Sequence, residues 1–469
     1  MRIAVIGGGY VGLVSGACLA SKGHEVLIVE QSQEKVAQIN KGVSPIHEEG
    51  LDDILLASLG SSLSATTQLD DAVRVSDVTI IAVGTPFNGD EIDLTQIENA
   101  SIAVGQALQN VDRYHVVVVK STVVPGTTDD LVTPLLQVHS GKQLGAEFGV
   151  GMNPEFLREG NAVSDFMTPD RIVLGGNDDR ARSVMAEVYA PFGNTDKVFV
   201  NNRTAEMIKY ASNSLLATLI SFSNEMGNLC SAVEDVDVLD VLSGVKLDKR
   251  LSPILENEQR IEPEINTYLA AGCGFGGSCF PKDVNALRAY GAQRNLPMPL
   301  LDAVMQTNAS QPQQMLALLK KRQINLAQAK IAVLGLAFKP GTDDVRESPA
   351  LTLIESLVDA GAQVSAYDPV ATDEAQKALG DVALNYATSM TAAIDGAHVV
   401  MVVTSWPEFA MLPELLAPLT HQPLVIDGRR MLSPDSVMNY EGIGRGNQTP
   451  EAIVARNNDE RDDDVSSAA

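Results

Sequence analysis

Arg2-Ile3-Ala4-Val5-Ile6-Gly7-Gly8-Gly9-Tyr10-Val11-Gly12 sets a β-branched run directly before Gly7, Gly9 and Gly12 at G-x-G-x-x-G spacing, and Leu13 to Ser21 continue as an apolar helix former. Spacing alone is weak evidence. Here the glycines follow a strand and open a helix, and a second strand, Glu25 to Val29, ends on an acid, Glu30, 18 residues after Gly12. That context is the dinucleotide-binding fingerprint of a βαβ unit. The glycines let a pyrophosphate reach the helix N-terminus, where the amides of Tyr10 and Val11 lie. Glu30 can accept both hydroxyls of the adenosine ribose and would repel a 2′-phosphate, so the cofactor predicted is NAD rather than NADP. Lys35, shortly beyond Glu30, joins this candidate cofactor set.

Outward from this unit, strands and helices keep alternating. Val78 to Val83 runs into Gly84-Thr85-Pro86, a helical segment covers Leu94 to Leu108, and Val116 to Lys120 runs into Ser121-Thr122. Continuously apolar strands read as the centre of a parallel sheet. Ligands bind at the carboxyl ends of such strands, which makes Thr85 and Thr122 candidates to meet a nicotinamide ribose; the other reading is hydroxyls that cap turns. A further strand, Phe148 to Met152, delivers Asn153-Pro154-Glu155-Phe156-Leu157-Arg158-Glu159-Gly160, with two carboxylates four residues apart. A solvated helix start with acids in its first turn would look the same.

From Thr204 to about Val233 apolar residues recur at helical spacing on nearly every face, so a long helix buried between domains or between subunits is expected. Lys209 and Asn213 stand one turn apart on it. An ammonium there needs a polar cavity or an anion, unless it reaches solvent along its stem. Gly272-Cys273-Gly274-Phe275-Gly276-Gly277-Ser278-Cys279-Phe280-Pro281-Lys282-Asp283 then combines a permissive loop with a thiol, a lysine and a carboxylate, and Pro281 suits a first helical turn. A cation or a helix N-terminus beside a cysteine favours the thiolate that a nucleophile needs; a small buried apolar residue is the competing fate. Cys273 and Cys279, six apart, are also a candidate pair for an oxidative off-switch.

The second half repeats the first. Lys330 to Gly335 matches Arg2 to Gly7, a strand ends at Tyr367-Asp368-Pro369, and Ala397 to Val403 echoes Val78 to Val83. The fingerprint is missing. In its place Lys339 to Pro349 carries Lys339 and Arg346, a local positive patch for a phosphate-bearing ligand or a solvated loop, with Ser348-Pro349 as a helix start. The chain thus reads as α/β, with two Rossmann-type parallel-sheet domains joined by a long central helix: 1–200 binding NAD, 201–310 carrying the helix and loop, 311–445 a second Rossmann-like domain, and 446–469 an acidic disordered tail.

Formal charge is −26, from 34 basic and 60 acidic residues. That field disfavours nucleic acid and anionic membranes as partners. An aromatic share of 4% argues against a platform for stacked bases. Four cysteines form neither a disulfide framework nor a zinc pattern, no metal site is expected, and no apolar run reaches the roughly 20 residues of a membrane helix, so a reducing cytoplasm is the expected setting.

With these residues in place the chain resembles the nucleotide-sugar dehydrogenases, NAD-dependent enzymes that oxidise a sugar primary alcohol to a carboxylate. The likeness covers roughly residues 1 to 440, is most specific at Gly274 to Asp283, and favours members acting on UDP-glucose to give UDP-glucuronate. It implies Cys279 as nucleophile, Lys209 and Asn213 on the oxyanion, Asp283 orienting them and a water, Glu155 assisting hydrolysis, and a part for Thr122 in the chemistry. It also implies Thr85, Thr122, Glu159, Lys282 and Arg346 on the cofactor side. Glu155, Phe156, Leu157, Lys209, Asn213, Tyr268, Gly276 and Lys339 fall to the nucleotide sugar, as does Arg260 reaching across a homodimer built on the central helix. GDP-mannose or a UDP-N-acetyl sugar as substrate, or a two-electron hydroxyacid-type dehydrogenase, are the alternatives.

Overall fold

A computed structural model describes residues 1–447. The expected acidic tail therefore lies, from residue 448 on, outside the described residues. The chain divides into two compact units, residues 1–213 with 285–297, and residues 214–284 with those from 298 on.

The first unit is built on one eight-stranded sheet. In chain order its strands are β1 (Arg2–Ile6), β2 (Glu25–Val29), β3 (Leu63–Thr66), β4 (Val78–Ile81), β5 (His115–Val119), β6 (Phe148–Met152), β7 (Arg171–Gly176) and β8 (Asp196–Val200). Their order across the sheet, β3-β2-β1-β4-β5-β6-β7-β8, changes direction between β1 and β4, the crevice where a doubly wound sheet holds its ligand. β4 and β5 are buried along their whole length, as sequences β-branched at every position but His115 lead one to expect. Side chains of β1 alternate faces: Ile3 and Val5 pack with Leu13, Val14 and Ile28, whereas Ala4 and Ile6 pack with Ile81, Ile97 and Val104. The sheet is parallel except where β7 turns back on β6, pairing Gly151 with Gly176 and Met152 with Gly175. Neither this reversal nor strands β3, β7 and β8 were expected, because their short and partly polar sequences carry little periodicity.

The second unit holds a six-stranded, wholly parallel sheet of β9 (Lys330–Leu334), β10 (Gln363–Tyr367), β11 (Asn385–Tyr386), β12 (Val399–Val402), β13 (Leu424–Asp427) and β14 (Tyr440–Gly442), in the order β11-β10-β9-β12-β13-β14. The repeat read from the sequence is real. Gly335 ends β9 with φ +93°, and a Cβ there would lie 2.4 Å from Cβ of Thr404. Only glycine fits so close to the neighbouring strand end.

The helix Asn202–Ser231 runs for 30 residues across the boundary between the units. The sequence placed this helix between domains or between subunits; in the single chain Leu215, Phe222 and Leu229, seven residues apart, are 53%, 45% and 61% exposed and form one apolar stripe. Among the described residues no helix is long and apolar enough to cross a membrane.

Candidate functional site

The first unit presents two groups of residues at the carboxyl ends of its strands. One is the glycine turn after β1. Gly7 has φ +106°, a Cβ on Gly12 would lie 1.9 Å from the Gly7 carbonyl oxygen, and Gly9 faces open space within 4 Å. The amides of Tyr10, Val11 and Gly12, in the first turn of helix Tyr10–Ser21, have no side-chain cap. This cradle and these donors fit a pyrophosphate. Glu30 is held at the end of β2 by the amides of Gly8 (3.1 Å) and Ser32 (2.9 Å), so the acid and the turn form one surface. Lys35 lies in the following helix with its amide on Ser32 Oγ.

The Tyr10 phenol turns away from that surface and donates to Glu48, a residue the sequence reading passed over. The Glu48 carboxylate also accepts the amides of Gly160 and Ala162, each at 2.7 Å. What Tyr10 offers a cofactor is therefore its amide. Its phenol and Glu48 tie the first helix to the loop that carries Glu155 and the half-buried Glu159. Thr85 and Thr122 come together at the ends of β4 and β5, Thr85 Oγ1 donating to the Thr122 carbonyl at 2.8 Å.

The second group surrounds a buried ion pair. Lys209 Nζ lies 2.8 Å from Glu155 Oε1, with side chains 3% and 7% exposed. Burial alone would raise the Glu155 carboxyl, but the Lys209 ammonium, the Leu157 amide (2.6 Å) and Lys120 together hold it below the usual carboxylate range. Lys209 also faces the Phe156 ring, 5.5 Å from its centroid, and the Arg171 guanidinium stacks on the same ring at 3.9 Å. Asn213, one turn further along the helix, is buried as well. Lys120, at the end of β5, donates to Asn153 Oδ1 at 2.9 Å, an acceptor that the Tyr189 hydroxyl shares at 2.5 Å. Glu206, one turn before Lys209, accepts the amides of Gly126 (2.6 Å) and Thr128 (2.8 Å), and burial pushes it up to about 7. Sequence gave no sign of Glu206, and Lys120 passed as a strand end. A lysine closing a run of four valines was the available signal.

The second unit presents the glycine-rich loop. Its backbone is gripped from several elements. Gly272 N donates to Asn224 Oδ1 (2.8 Å), Asn308 bridges both backbone groups of Phe275 (2.8 and 2.9 Å), Gly277 N donates to the Arg346 carbonyl (2.8 Å) and Arg429 donates to the Gly274 carbonyl (3.2 Å). A Cβ on Gly276 would lie 2.2 Å from the Glu347 carbonyl oxygen. The loop thus delivers Cys279 to the residue immediately before helix Phe280–Gln293, where the Asp283 amide bonds to its carbonyl at 2.8 Å. Asp283 is 1% exposed and takes the Lys282 ammonium at 2.5 Å.

Of the four cysteines, Cys18, Cys230 and Cys273 are buried, and Cys279 is partly exposed. The two members of the candidate oxidative pair differ in burial. Cys273 is fully buried in a hydrophobic cluster with Leu336 and Ala337, its thiol reaches the Val403 carbonyl at 3.4 Å, and burial raises its pKa. A six-residue spacing says nothing about direction, and the fold points Cys273 into the core.

Tyr268 lies beside Phe280, ring centroids 6.3 Å apart. Lys339 is half-buried next to the Phe338 ring, and Arg346 is bound through Nε and Nη2 to Asp344, both at 2.8 Å. Arg260, expected to reach a partner subunit, donates here to the carbonyls of Leu247 (2.8 Å) and Ser252 (2.9 Å) of its own chain. The counterpart of Glu30 in this second sheet is Asp368. Its carboxylate takes the amides of Leu336, Ala337, Val370 and Ala371 and the Trp406 indole, which leaves it little capacity for a ribose. Among the described residues no cluster of potential ligands could hold a metal ion.

Three stretches match the UDP-glucose/GDP-mannose dehydrogenase family: residues 1–193 its NAD-binding domain, 203–310 its central domain and 332–434 its UDP-binding domain. The chain is 42% identical over 448 residues to the UDP-glucose 6-dehydrogenase AglM of Haloferax volcanii, covering 94% of this chain and 100% of that one. It is 41% identical over 373 residues to a GDP-mannose 6-dehydrogenase of Pseudomonas putida, covering 78% and 81% of the two chains. The solved structure of a UDP-glucose dehydrogenase from Pyrobaculum islandicum superposes with a TM-score of 0.86 at 39% identity, over 94% of this chain and 97% of that one. Together with the dinucleotide cradle after β1 and the gripped loop before Cys279, these likenesses show that the chain belongs to the UDP-glucose/GDP-mannose dehydrogenase family.

Proposed function

We propose that the protein oxidises the C6 alcohol of UDP-glucose to the carboxylate of UDP-glucuronate, a four-electron change at one carbon. One observation carries this reading: Cys279 alone among the four cysteines is partly exposed, at the start of a helix and on a loop whose backbone is fixed by side chains of several elements. A two-electron dehydrogenase needs no such thiol. Two molecules of NAD supply the hydride acceptors.

In this reading the alcohol first loses a proton and a hydride and becomes the aldehyde. The Cys279 sulfur adds to the aldehyde carbon, the thiol proton leaving and the oxygen gaining one, to form a hemithioacetal. Loss of a second proton and hydride gives a thioester. Water then adds to its carbonyl, the carbon–sulfur bond breaks, and carboxylate and thiol are released. Lys209 and Asn213 stabilise the successive oxyanions, a role worth about 3 kcal/mol for one preorganised donor. Glu155, kept ionised, accepts a proton from the attacking water; Asp283 orients the donors, and Thr122 lies on the nicotinamide side. Glu30 selects NAD. Thr85, Glu159, Lys282 and Arg346 complete the cofactor set, while Phe156, Leu157, Tyr268, Gly276, Lys339 and Arg260 hold the nucleotide sugar. The exposed stripe of Leu215, Phe222 and Leu229 supports a homodimer formed along the long helix, and an acidic chain with only four cysteines suits the cytoplasm.

The test is the yield of NADH per sugar with the product identified by mass. UDP-glucose is expected to give two NADH and the uronate, with GDP-mannose and UDP-N-acetyl sugars as comparisons. Cys279→Ala is expected to give at most one NADH and no acid. Two NADH and a carboxylate from Cys279→Ala near the parent rate would refute the thiol route.

A further inference from the structure

Lys120 takes no part in the chemistry above, yet it is placed like a residue with a function. It ends β5, two residues before Thr122, and is 3% exposed. A buried ammonium ordinarily sits on a carboxylate, because an unpaired charge in an apolar interior is costly. Lys120 instead holds neutral oxygens, Asn153 Oδ1 at 2.9 Å and the Tyr189 hydroxyl at 3.5 Å. The rings of Phe166 and Tyr189 lie 5.5 and 6.0 Å from its nitrogen. Asn153 opens the loop that presents Glu155 two residues later, and its Nδ2 is fixed on the Val173 carbonyl at 2.9 Å.

The groups that face Lys120 are few. Glu155 comes from the loop after β6, Lys209 from the long helix and the Tyr189 phenol from the end of helix Asp179–Val188; Phe166, from helix Ala162–Met167, is uncharged. Burial first, then the like charge of Lys209, push Lys120 down to about 8, and Glu155 opposes them. Its charge is felt in return by the Glu155 carboxylate.

We propose that Lys120 is a positioning residue for hydrolysis: through Asn153 it fixes the loop bearing Glu155, and its positive charge, added to that of Lys209, keeps Glu155 ionised to accept a proton from water. The consequence for hydrolysis rests on the role given to Glu155 above; the effect on the Glu155 carboxyl does not.

The test compares the full-length parent with Lys120→Met and Lys120→Arg. Carboxylate titration by ¹³C NMR, with Glu155 assigned through Glu155→Gln, needs no substrate. Lys120→Met is expected to raise the Glu155 midpoint by about one unit, and Lys120→Arg to keep it near the parent value. In the NADH assay the acid limb of kcat should move up by the same amount in Lys120→Met, with KM for UDP-glucose changed less than about twofold, since Lys120 grips no substrate. If Lys120→Met does not fold, Lys120→Gln, which keeps a donor for Asn153, gives the same reading. A Glu155 midpoint and acid limb that stay in place in the folded neutral variant would overturn the proposal and leave Lys120 a packing residue. A midpoint that moves in a protein that turns over no nucleotide sugar would uphold the electrostatic assignment and refute the proposed function.

Discussion

Lys209 and Glu155 form an ion pair at 2.8 Å in which neither side chain is more than 7% exposed. Such a pair is not stabilising merely by existing, because both charges were taken out of water to make it. Removing one partner is another matter. Lys209→Met strands a carboxylate and should cost about 3–5 kcal/mol of stability, whereas Lys209→Met with Glu155→Gln should recover much of it. The folded Glu155 carboxyl lies below its ordinary value, so the folded state binds fewer protons than the unfolded. The pair's contribution is therefore complete above about pH 4.3 and is lost as the pH falls through the lower folded value. Urea unfolding of the three proteins between pH 3 and 7 reads both effects.

Lys120 produces a trend of the same sign at alkaline pH. Its folded value is about 8, and the unfolded chain releases the same proton near 10.4. Between these values the unfolded state holds more protons, so stability rises with pH. Below pH 8 both states are charged and the cost of burying the ammonium is felt in full. The stability difference between parent and Lys120→Met should therefore shift toward the parent by up to about 3 kcal/mol from pH 8 to 10, read from melting of both proteins in matched buffers. A constant difference across that window would mean that Lys120 does not titrate there.

The cysteines should separate cleanly under alkylation. Iodoacetamide is expected to modify Cys279 in the folded protein and to spare Cys18, which burial pushes up to about 12, together with Cys273. Peptide mass mapping with and without urea distinguishes the sites. Peroxide inactivation should be the same in Cys273→Ser as in the parent, since its thiol lies in the core.

Gly12→Ala probes the cofactor cradle. The new Cβ would lie 1.9 Å from the Gly7 carbonyl oxygen, a backbone atom that cannot swing aside. Overpacking of this kind costs about 1–3 kcal/mol, so a lower melting temperature and at least tenfold weaker NADH binding by fluorescence titration are expected.

The sequence by itself determined the α/β class, the repeat that makes two sheets, and NAD as cofactor. Each rests on local chemistry: a β-branched run, glycines at fixed offsets and an acid at a strand end need no distant partner to be read. The same locality made Cys279, Lys282 and Asp283 legible as one group. What only the tertiary structure decided were relations between residues far apart in the chain. Glu48 joins Tyr10 to Gly160 across more than a hundred positions, and nothing in its own segment announces it. Lys120 is ordinary as a letter and becomes significant because the fold seats it on the neutral oxygens of Asn153 and Tyr189, beside Phe166, where its charge is felt by Glu155. Asp368, which resembles Glu30 by position, is diverted by five donors, four of them backbone amides. Cys273, read as a partner for Cys279, faces the core, and direction is what spacing along a glycine-rich loop does not encode. Burial and orientation are set by the packing of whole elements, and they fix which side chains keep a charge and which lose access to water.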